Sequence, residues 1–425
     1  MRILILSSRS EKHSANLGYN VISALRESGH EVDFNFAGAN TVLEKLQNVG
    51  NSWFAQQVQR VIDKYTSVRG LPMWKLRGYY EGAGYKFFVG DETKNVYSPN
   101  KLLKRLNGKK YDLIITMFFP DFLNMNSVEA LCKSQNTPLL FFSIDDYPKT
   151  GGCYFCWNCQ NYKIDCKYCP AFGGKEFSLA YKNAIHKKRI FSSYNIWIMV
   201  NSWMKRTFEQ SSIINPNQLL LHSFIIDEDY YKPRNIELCR EKFGIPSNKM
   251  TILSMRYQSM DRKGCSLAIE ALNRLSSKMD SVDRAKLLLI TFGDSFEGDV
   301  DFDVLDMGFV PTDTLLDIYC ASTAFLSPSI GDAGPSTVNQ SICCGTPVVA
   351  FEIGTAIDVI ENGISGYRAA FKDVDDYAHG IESIITLNEQ VYIKLRETTR
   401  EMGLKKNSKK AFAQFIEKKF NKTNR

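Results

Sequence analysis

The chain has 425 residues, 44% of them hydrophobic, and carries 53 Lys and Arg against 46 Asp and Glu, a net charge of +7. That length exceeds the about 250–300 residues at which a single core stops growing, so two domains are expected. The composition excludes a disordered or fibrous chain, and no apolar run approaches the roughly 20 residues that a membrane-spanning helix needs.

Residues 1–9 read MRILILSSR, a short apolar run followed at once by charge. This predicts a first strand over 3–6, not a secretory leader, and hence a cytosolic protein. A helix follows over 16–28, with Leu17, Val21, Ile22 and Leu25 at helical spacing and Gly29 as its stop. Strands are predicted over 31–36, 112–117, 138–142 and 196–200, with a helix near 128–134. Residues 49–98 break this rhythm. They are aromatic and basic, with Trp53, Trp74, Tyr79, Tyr80, Arg60, Lys75 and Arg77 among them, and form either a packed lid or a grip for an acceptor. After a linker near 221–234 the alternation returns. Strands are predicted over 251–255, 286–291, 304–309, 324–327 and 348–351, and helices over 265–277, 313–320, 336–344 and 375–385. Strand–helix alternation in both halves implies two parallel sheets covered on both faces. Such sheets bind ligands at the carboxyl ends of their strands.

Residues 327–351 read SPSIGDAGPSTVNQSICCGTPVVAF: a strand end, a Gly/Pro loop, a short helix, a Gly stop and a second buried strand. A loop that opens a helix gathers free N–H groups and the positive end of the helix dipole at one point, which suits a phosphate. The backbone from Gly334 through Pro335, Ser336 and Thr337 to Val338 is expected to contact it. Residues 254–264 (SMRYQSMDRKG) put Arg256, Arg262 and Lys263 on the loop after the first strand of the second half. Fixed cations there suit bound phosphates. Lys263 is the first candidate; Arg256 and Arg262 compete for second.

These motifs, with GTPVVA at 345–350 and DVIENGISGY at 358–367, resemble retaining glycosyltransferases of family 4. The resemblance spans nearly the whole chain and is densest over 250–370. It implies the α/β GT-B fold, two doubly wound Rossmann-like domains facing a cleft. The acceptor side would be residues 1–222 and the nucleotide-sugar side 223–402, with a terminal helix over 403–425 packing back on the first domain. It implies a UDP- or GDP-linked sugar as donor, no catalytic metal, and Asp332 and Gln340, eight positions apart, as contacts to the sugar and the ribose. Both depart from the family's usual Glu. Asp is one methylene shorter, and Gln grips the ribose without charge. The implied reaction retains anomeric configuration, with the leaving diphosphate taking the proton of the acceptor hydroxyl. The first-domain loops hold no His where many relatives have one. Asp145 and Asp146 are expected to face the cleft and orient the acceptor, and His13 to lie at its edge.

Five of the eleven cysteines lie between Cys153 and Cys169. The segment 145–170 (DDYPKTGGCYFCWNCQNYKIDCKYCP) resembles a loop in a family 4 branch that serves polysaccharide and O-antigen synthesis, with Cys153, Cys159, Cys166 and Cys169 as the shared thiols. Clustered thiols without a secretory leader favour a metal, here a structural zinc. Cys166 and Cys169 form one half-site. The other half is Cys153 with Cys159 or Cys156 with Cys159, and free thiols, loop disulfides or an iron–sulfur cluster are alternatives.

The last 25 residues carry eight Lys or Arg and two Glu. They form either a solvated helical face or a site of attraction to an anionic membrane, which would make the protein peripheral on the inner face. The expected acceptor is a lipid-linked oligosaccharide of a bacterial surface polysaccharide. The competing reading, a zinc-containing nucleic-acid-binding protein, is weaker because the basic residues concentrate in the tail and do not surround the cysteines, so no nucleic-acid partner is expected. A dinucleotide oxidoreductase lacks its Gly-x-Gly-x-x-Gly after the first strand. A phosphorylase lacks an evident lysine for pyridoxal phosphate.

Overall fold

The computed structural model describes residues 1–7, 17–36, 86–87, 91–94, 100, 103–104, 106–117, 123–170, 174–176, 178–193 and 195–421. His13 and the aromatic and basic side chains expected over 49–98 lie outside the described residues.

Two six-stranded sheets organise these residues, and every neighbouring pair in each is parallel. The first sheet runs, edge to edge, Leu219–Leu221, Ile196–Val200, Leu139–Phe142, Leu113–Thr116, Arg2–Ser7 and Glu31–Phe36. The second runs Asp303–Asp306, Leu287–Gly293, Thr251–Tyr257, Ala324–Ser327, Val348–Phe351 and Gly366–Ala369. Continuous apolar runs such as Ile3-Leu4-Ile5-Leu6 are buried residue after residue, because helices cover both faces of a parallel sheet. In the second sheet the faces separate cleanly. Ile252, Leu288, Phe325 and Val348 feed one core, and Leu253, Leu289, Leu326 and Val349 feed the other.

The strand order of the second sheet reverses between Thr251–Tyr257 and Ala324–Ser327, the first of them flanked by its sequence successor on one side and by a later strand on the other. At such a switch point the two following loops leave in opposite directions and open a crevice.

The expected strand over 304–309 is shorter. It ends at Asp306, whose carboxylate accepts from Thr291 Oγ1, Phe296 N and Gly308 N and turns the chain out of the sheet. Phe309 is left 90% exposed. The sequence reading also omitted the Ser178–Ser193, Ser202–Phe208 and Glu389–Asn407 helices.

The chain crosses between cores at one peptide bond: Ile225 packs in the first and Ile226 in the second. It returns between the Glu389–Asn407 and Lys409–Phe420 helices, where Ile226 N donates to Asn407 O at 2.9 Å. The last helix places Phe412 and Ile416 in the first core and packs on the Leu17–Glu27 helix. Lys409, at the junction, meets Glu27 at 2.9 Å, Asp229 at 2.8 Å and Asp227 at 3.5 Å. The outgoing and returning strands of chain are thereby tied to the first domain at one point.

Candidate functional site

The crevice at the switch point is a hollow of about 240 Å³. Arg256 and Gln258 reach it from the end of Thr251–Tyr257, Lys263 from the turn beyond, and Ser327, Pro328 and Ser329 from the end of Ala324–Ser327. Asp332, Gly334, Pro335, Ser336 and Thr337 close it from the loop and first turn of the Ser336–Cys343 helix.

Local chemistry explains why these elements end where they do. Asp261–Lys263 forms one tight turn that Gly264 terminates at φ +63°, and the Cys265–Ser276 helix starts immediately after. A Cβ at Gly264 would lie 2.1 Å from Pro328 O, so the lysine-bearing turn sits against the Ser327–Pro328 segment as only glycine permits. Pro335 precedes the Ser336–Cys343 helix, no side chain caps that helix start, and its first residues Ser336 and Thr337 line the hollow. Lys263 Nζ lies 2.5 Å from Asp332 Oδ2, and Asp332 Oδ1 accepts from Gly334 N at 3.1 Å.

The two arginines lie in different places. Arg256 is exposed and lines the hollow. Arg262 does not. Its Nη1 reaches Gly331 O at 3.2 Å and Asp332 Oδ2 at 3.4 Å, and its guanidinium stacks 4.5 Å from the Phe155 ring.

Of the six residues expected at the phosphate and ribose, Gly334, Pro335, Ser336 and Thr337 line the hollow. Val338, expected there through its backbone, places its side chain in the second core and donates its N–H to Pro335 O at 3.1 Å. Gln340 is 4% exposed, with Oε1 accepting from Tyr319 Oη and Nε2 donating to Tyr231 Oη, both at 3.0 Å. The eight-residue spacing sends Gln340 one further turn into the core, where its amide is consumed by two tyrosines. Burial holds the Tyr319 hydroxyl well above the usual phenol range, so it stays a donor.

Asp145 and Asp146 also differ from expectation. Both are buried. Asp145 Oδ1 accepts from Tyr147 N at 2.9 Å. Asp146 pairs with Lys149 Nζ at 2.9 Å and accepts from Cys156 N at 2.9 Å. Their carboxylates are engaged within the segment that leads into the cysteine loop.

Cys153, Cys156, Cys159, Cys166 and Cys169 line one small hollow as free thiols. Among the described residues, however, no group of three or more His, Cys, Asp or Glu is placed to hold a metal ion, so the expected four-thiolate zinc site is not assembled. Burial pushes the Cys153 and Cys156 thiols well up and Cys166 to about 12, which keeps them protonated. Hydrogen bonds hold the loop instead: Gly151 N to Cys166 Sγ at 3.3 Å, Asn161 N to Cys159 Sγ at 3.4 Å and Cys153 N to Thr150 Oγ1 at 2.9 Å.

The sequence reading missed Gln258 and Ser329 as lining residues. Their signal was positional: each lies one or two residues past a strand of the switch pair.

Comparison with known proteins accords with this geometry. Residues 250–386 match the family of group 1 glycosyl transferases. An uncharacterised glycosyltransferase of Methanocaldococcus jannaschii, MJ1607, is 26% identical over 158 residues, 35% of this chain and 38% of that protein. The D-inositol 3-phosphate glycosyltransferase of Mycolicibacterium smegmatis is 25% identical over 175 residues, 38% of each chain. The matched part thus spans 38% of the length of either relative. The whole chain superposes on Anabaena Alr3699/HepE in complex with UDP-glucose with TM-score 0.60 and 15% identity, covering 99% of both chains. It superposes on sucrose-phosphate synthase of Thermosynechococcus elongatus with TM-score 0.61 and 15% identity, covering 99% and 98%. Likeness at this level establishes the fold, which is GT-B.

Proposed function

We propose that the protein is a retaining glycosyltransferase that moves a hexose from a UDP- or GDP-linked donor to a hydroxyl of a lipid-linked oligosaccharide in bacterial surface polysaccharide assembly. One observation carries the reading. Lys263, Arg256 and the amino end of the Ser336–Cys343 helix meet on a single hollow at the switch point of the second sheet. Two cations and a helix dipole aimed at one place suit a diphosphate whose charge grows as the sugar leaves. The match of residues 250–386 to group 1 glycosyl transferases supports it.

In this reading Lys263 and Arg256 hold the two phosphates, and the backbone at Ser336 and Thr337 binds the distal one. Asp332 holds sugar hydroxyls while it fixes the ammonium of Lys263. The leaving diphosphate accepts the proton of the acceptor hydroxyl on the same face, so the second domain supplies charge and orientation and no base. The acceptor approaches from the first domain. Lys405, Lys406, Lys410 and Lys418 are exposed on the last two helices and attract the anionic face of a membrane, at about 1 kcal/mol each. No helix among the described residues is long and apolar enough to cross one.

A thermal-shift panel of UDP- and GDP-sugars tests the donor class. Stabilisation by one nucleotide series is expected, and no shift with any of them would sink the reading. Metal-free transfer onto a lipid-linked glycan, with the product's anomeric configuration read by NMR, tests the acceptor and the stereochemistry.

A further inference from the structure

The cysteine loop belongs to the first domain, yet its tip rests on the second. The Phe155 ring covers the guanidinium of Arg262 at 4.5 Å. Two residues on, Trp157 lies against Gly331. A Cβ built on Gly331 would stand 2.7 Å from Trp157 Cζ3, so a side chain there and the indole exclude each other. Trp157 holds φ +49°, a conformation that a bulky side chain adopts only where its surroundings require it.

Arg262 is the staple of the hollow's rim. Its carbonyl accepts from Ile330 N at 2.9 Å and Gly331 N at 3.0 Å, and its Nη1 bonds Gly331 O and Asp332 Oδ2. It therefore joins the lysine-bearing turn to the loop that leads into the Ser336–Cys343 helix. Phe155 and Trp157 grip that joint at its two halves. Behind them, Asp146 bonds the backbone N–H of Cys156, the residue between the two aromatics, and is itself neutralised by the buried Lys149. The five thiols and their N–H···S bonds fill the rest of the loop.

We infer that the cysteine loop is an interdomain clasp: Phe155 and Trp157 are positioning residues that hold Arg262 and the segment from Gly331 to Asp332, so donor binding in the second domain depends on a loop of the first. This rests on the donor reading above and adds a residue-level cause. The face of an aromatic ring orients a guanidinium by charge–quadrupole attraction, which is strongest where water is excluded. A guanidinium that swings free releases its grip on Asp332, and with it the register between Lys263 and the helix.

The test uses the full chain and calorimetric titration with UDP-glucose, UDP-N-acetylglucosamine and GDP-mannose, with thermal unfolding of every variant in parallel. Phe155→Leu is expected to weaken the bound donor about five- to thirty-fold, in line with the loss of a desolvated cation–π contact, at an unchanged unfolding midpoint. Phe155→Tyr, which keeps the ring face, is expected to bind within about two-fold of the parent. Trp157→Ala is expected to weaken binding, and Gly331→Ala to weaken it in the parent but to add little in the Trp157→Ala background, because the 2.7 Å clash has gone and only Arg262 Cβ at 3.1 Å remains. Parent-like binding by Phe155→Leu, failure of Phe155→Tyr to bind like the parent, or a Gly331→Ala defect that adds in full to that of Trp157→Ala would each overturn the clasp while the donor reading stands. A parent protein that binds none of the three sugars would overturn both.

Discussion

Lys263 Nζ sits 2.5 Å from Asp332 Oδ2, and the two side chains are 16% and 14% exposed. The cation that faces the hollow is therefore held by a carboxylate of the same rim, which orients it and offsets its charge. Arg262 shares the same oxygen at 3.4 Å.

Removing the offset separates anion binding from transfer. Asp332→Asn leaves the hollow one charge more positive, and at an effective dielectric near 20 a charge a few ångströms away is worth kilocalories before salt screening. Free UDP or GDP is expected to bind about three- to ten-fold tighter, while transfer falls because the proposed sugar contact is lost. Titration with the nucleoside diphosphate and a parallel rate measurement check it. Weaker diphosphate binding would show that Asp332 does not oppose the anion.

Lys263→Ala is expected to lower transfer at least about 100-fold, the scale at which one preorganised electrostatic contact acts in a transition state. Circular dichroism and thermal unfolding should match the parent, since the lysine is a rim residue outside both cores. Near-full activity would remove Lys263 from the chemistry.

Gly264→Ala forces a side chain into a left-handed residue and onto Pro328 O. A loss of about 2–4 kcal/mol is expected in urea unfolding, the sum of backbone strain and a steric contact that no rotamer relieves. Donor affinity should fall with it, because the displaced turn carries Lys263.

Gln340→Leu strips partners from two buried tyrosine hydroxyls, Tyr319 and Tyr231. Each loses its hydrogen bond without gaining water, so a cost of about 1–3 kcal/mol is expected from the unfolding midpoint. Gln340→Glu should also be less stable at neutral pH, since it places a carboxylate at a site that is 4% exposed.

Stability should decline above pH about 9. Burial raises the thiols of Cys132, Cys153, Cys156, Cys166 and Cys343 above their ordinary value, Cys166 and Cys343 to about 12. The folded chain then holds protons that the unfolded chain releases. The stabilisation is complete below the ordinary thiol pKa and is lost as pH rises toward the folded values, at about 1.4 kcal/mol per pH unit for each such thiol. Cys320, drawn down to about 7 chiefly by its hydrogen bond with Cys344, and Lys187, brought to about 8 by burial, act in the opposite sense and are outnumbered. Urea midpoints at pH 7, 9 and 10 under reducing conditions give the slope. A flat or rising profile would contradict the burial of the thiols.

Much of the architecture was legible in the chain itself, because a strand buried on both faces must be apolar at every position. LIIT at 113–116, LLFF at 139–142 and VVAF at 348–351 leave no other reading, and Gly264 and Pro335 mark where the two loops turn. Local order of residues therefore settled which loops follow which strands. It did not settle which side chains turn inward. Arg256 and Arg262 are equal as letters, and only their tertiary contacts put one on the hollow and the other under Phe155. Gln340, expected as a ligand from its spacing to Asp332, is an interior hydrogen-bonding group, since its partners Tyr231 and Tyr319 come from segments that spacing does not relate. Asp146, expected at the cleft from its place after a first-domain strand, is turned inward by Lys149 and Cys156 of its own loop. The contact of Trp157 with Gly331 joins positions 174 residues apart on different domains. Short-range pattern follows from periodicity along one element, whereas the pairing of side chains across elements is decided only when the sheets and the two domains close on each other.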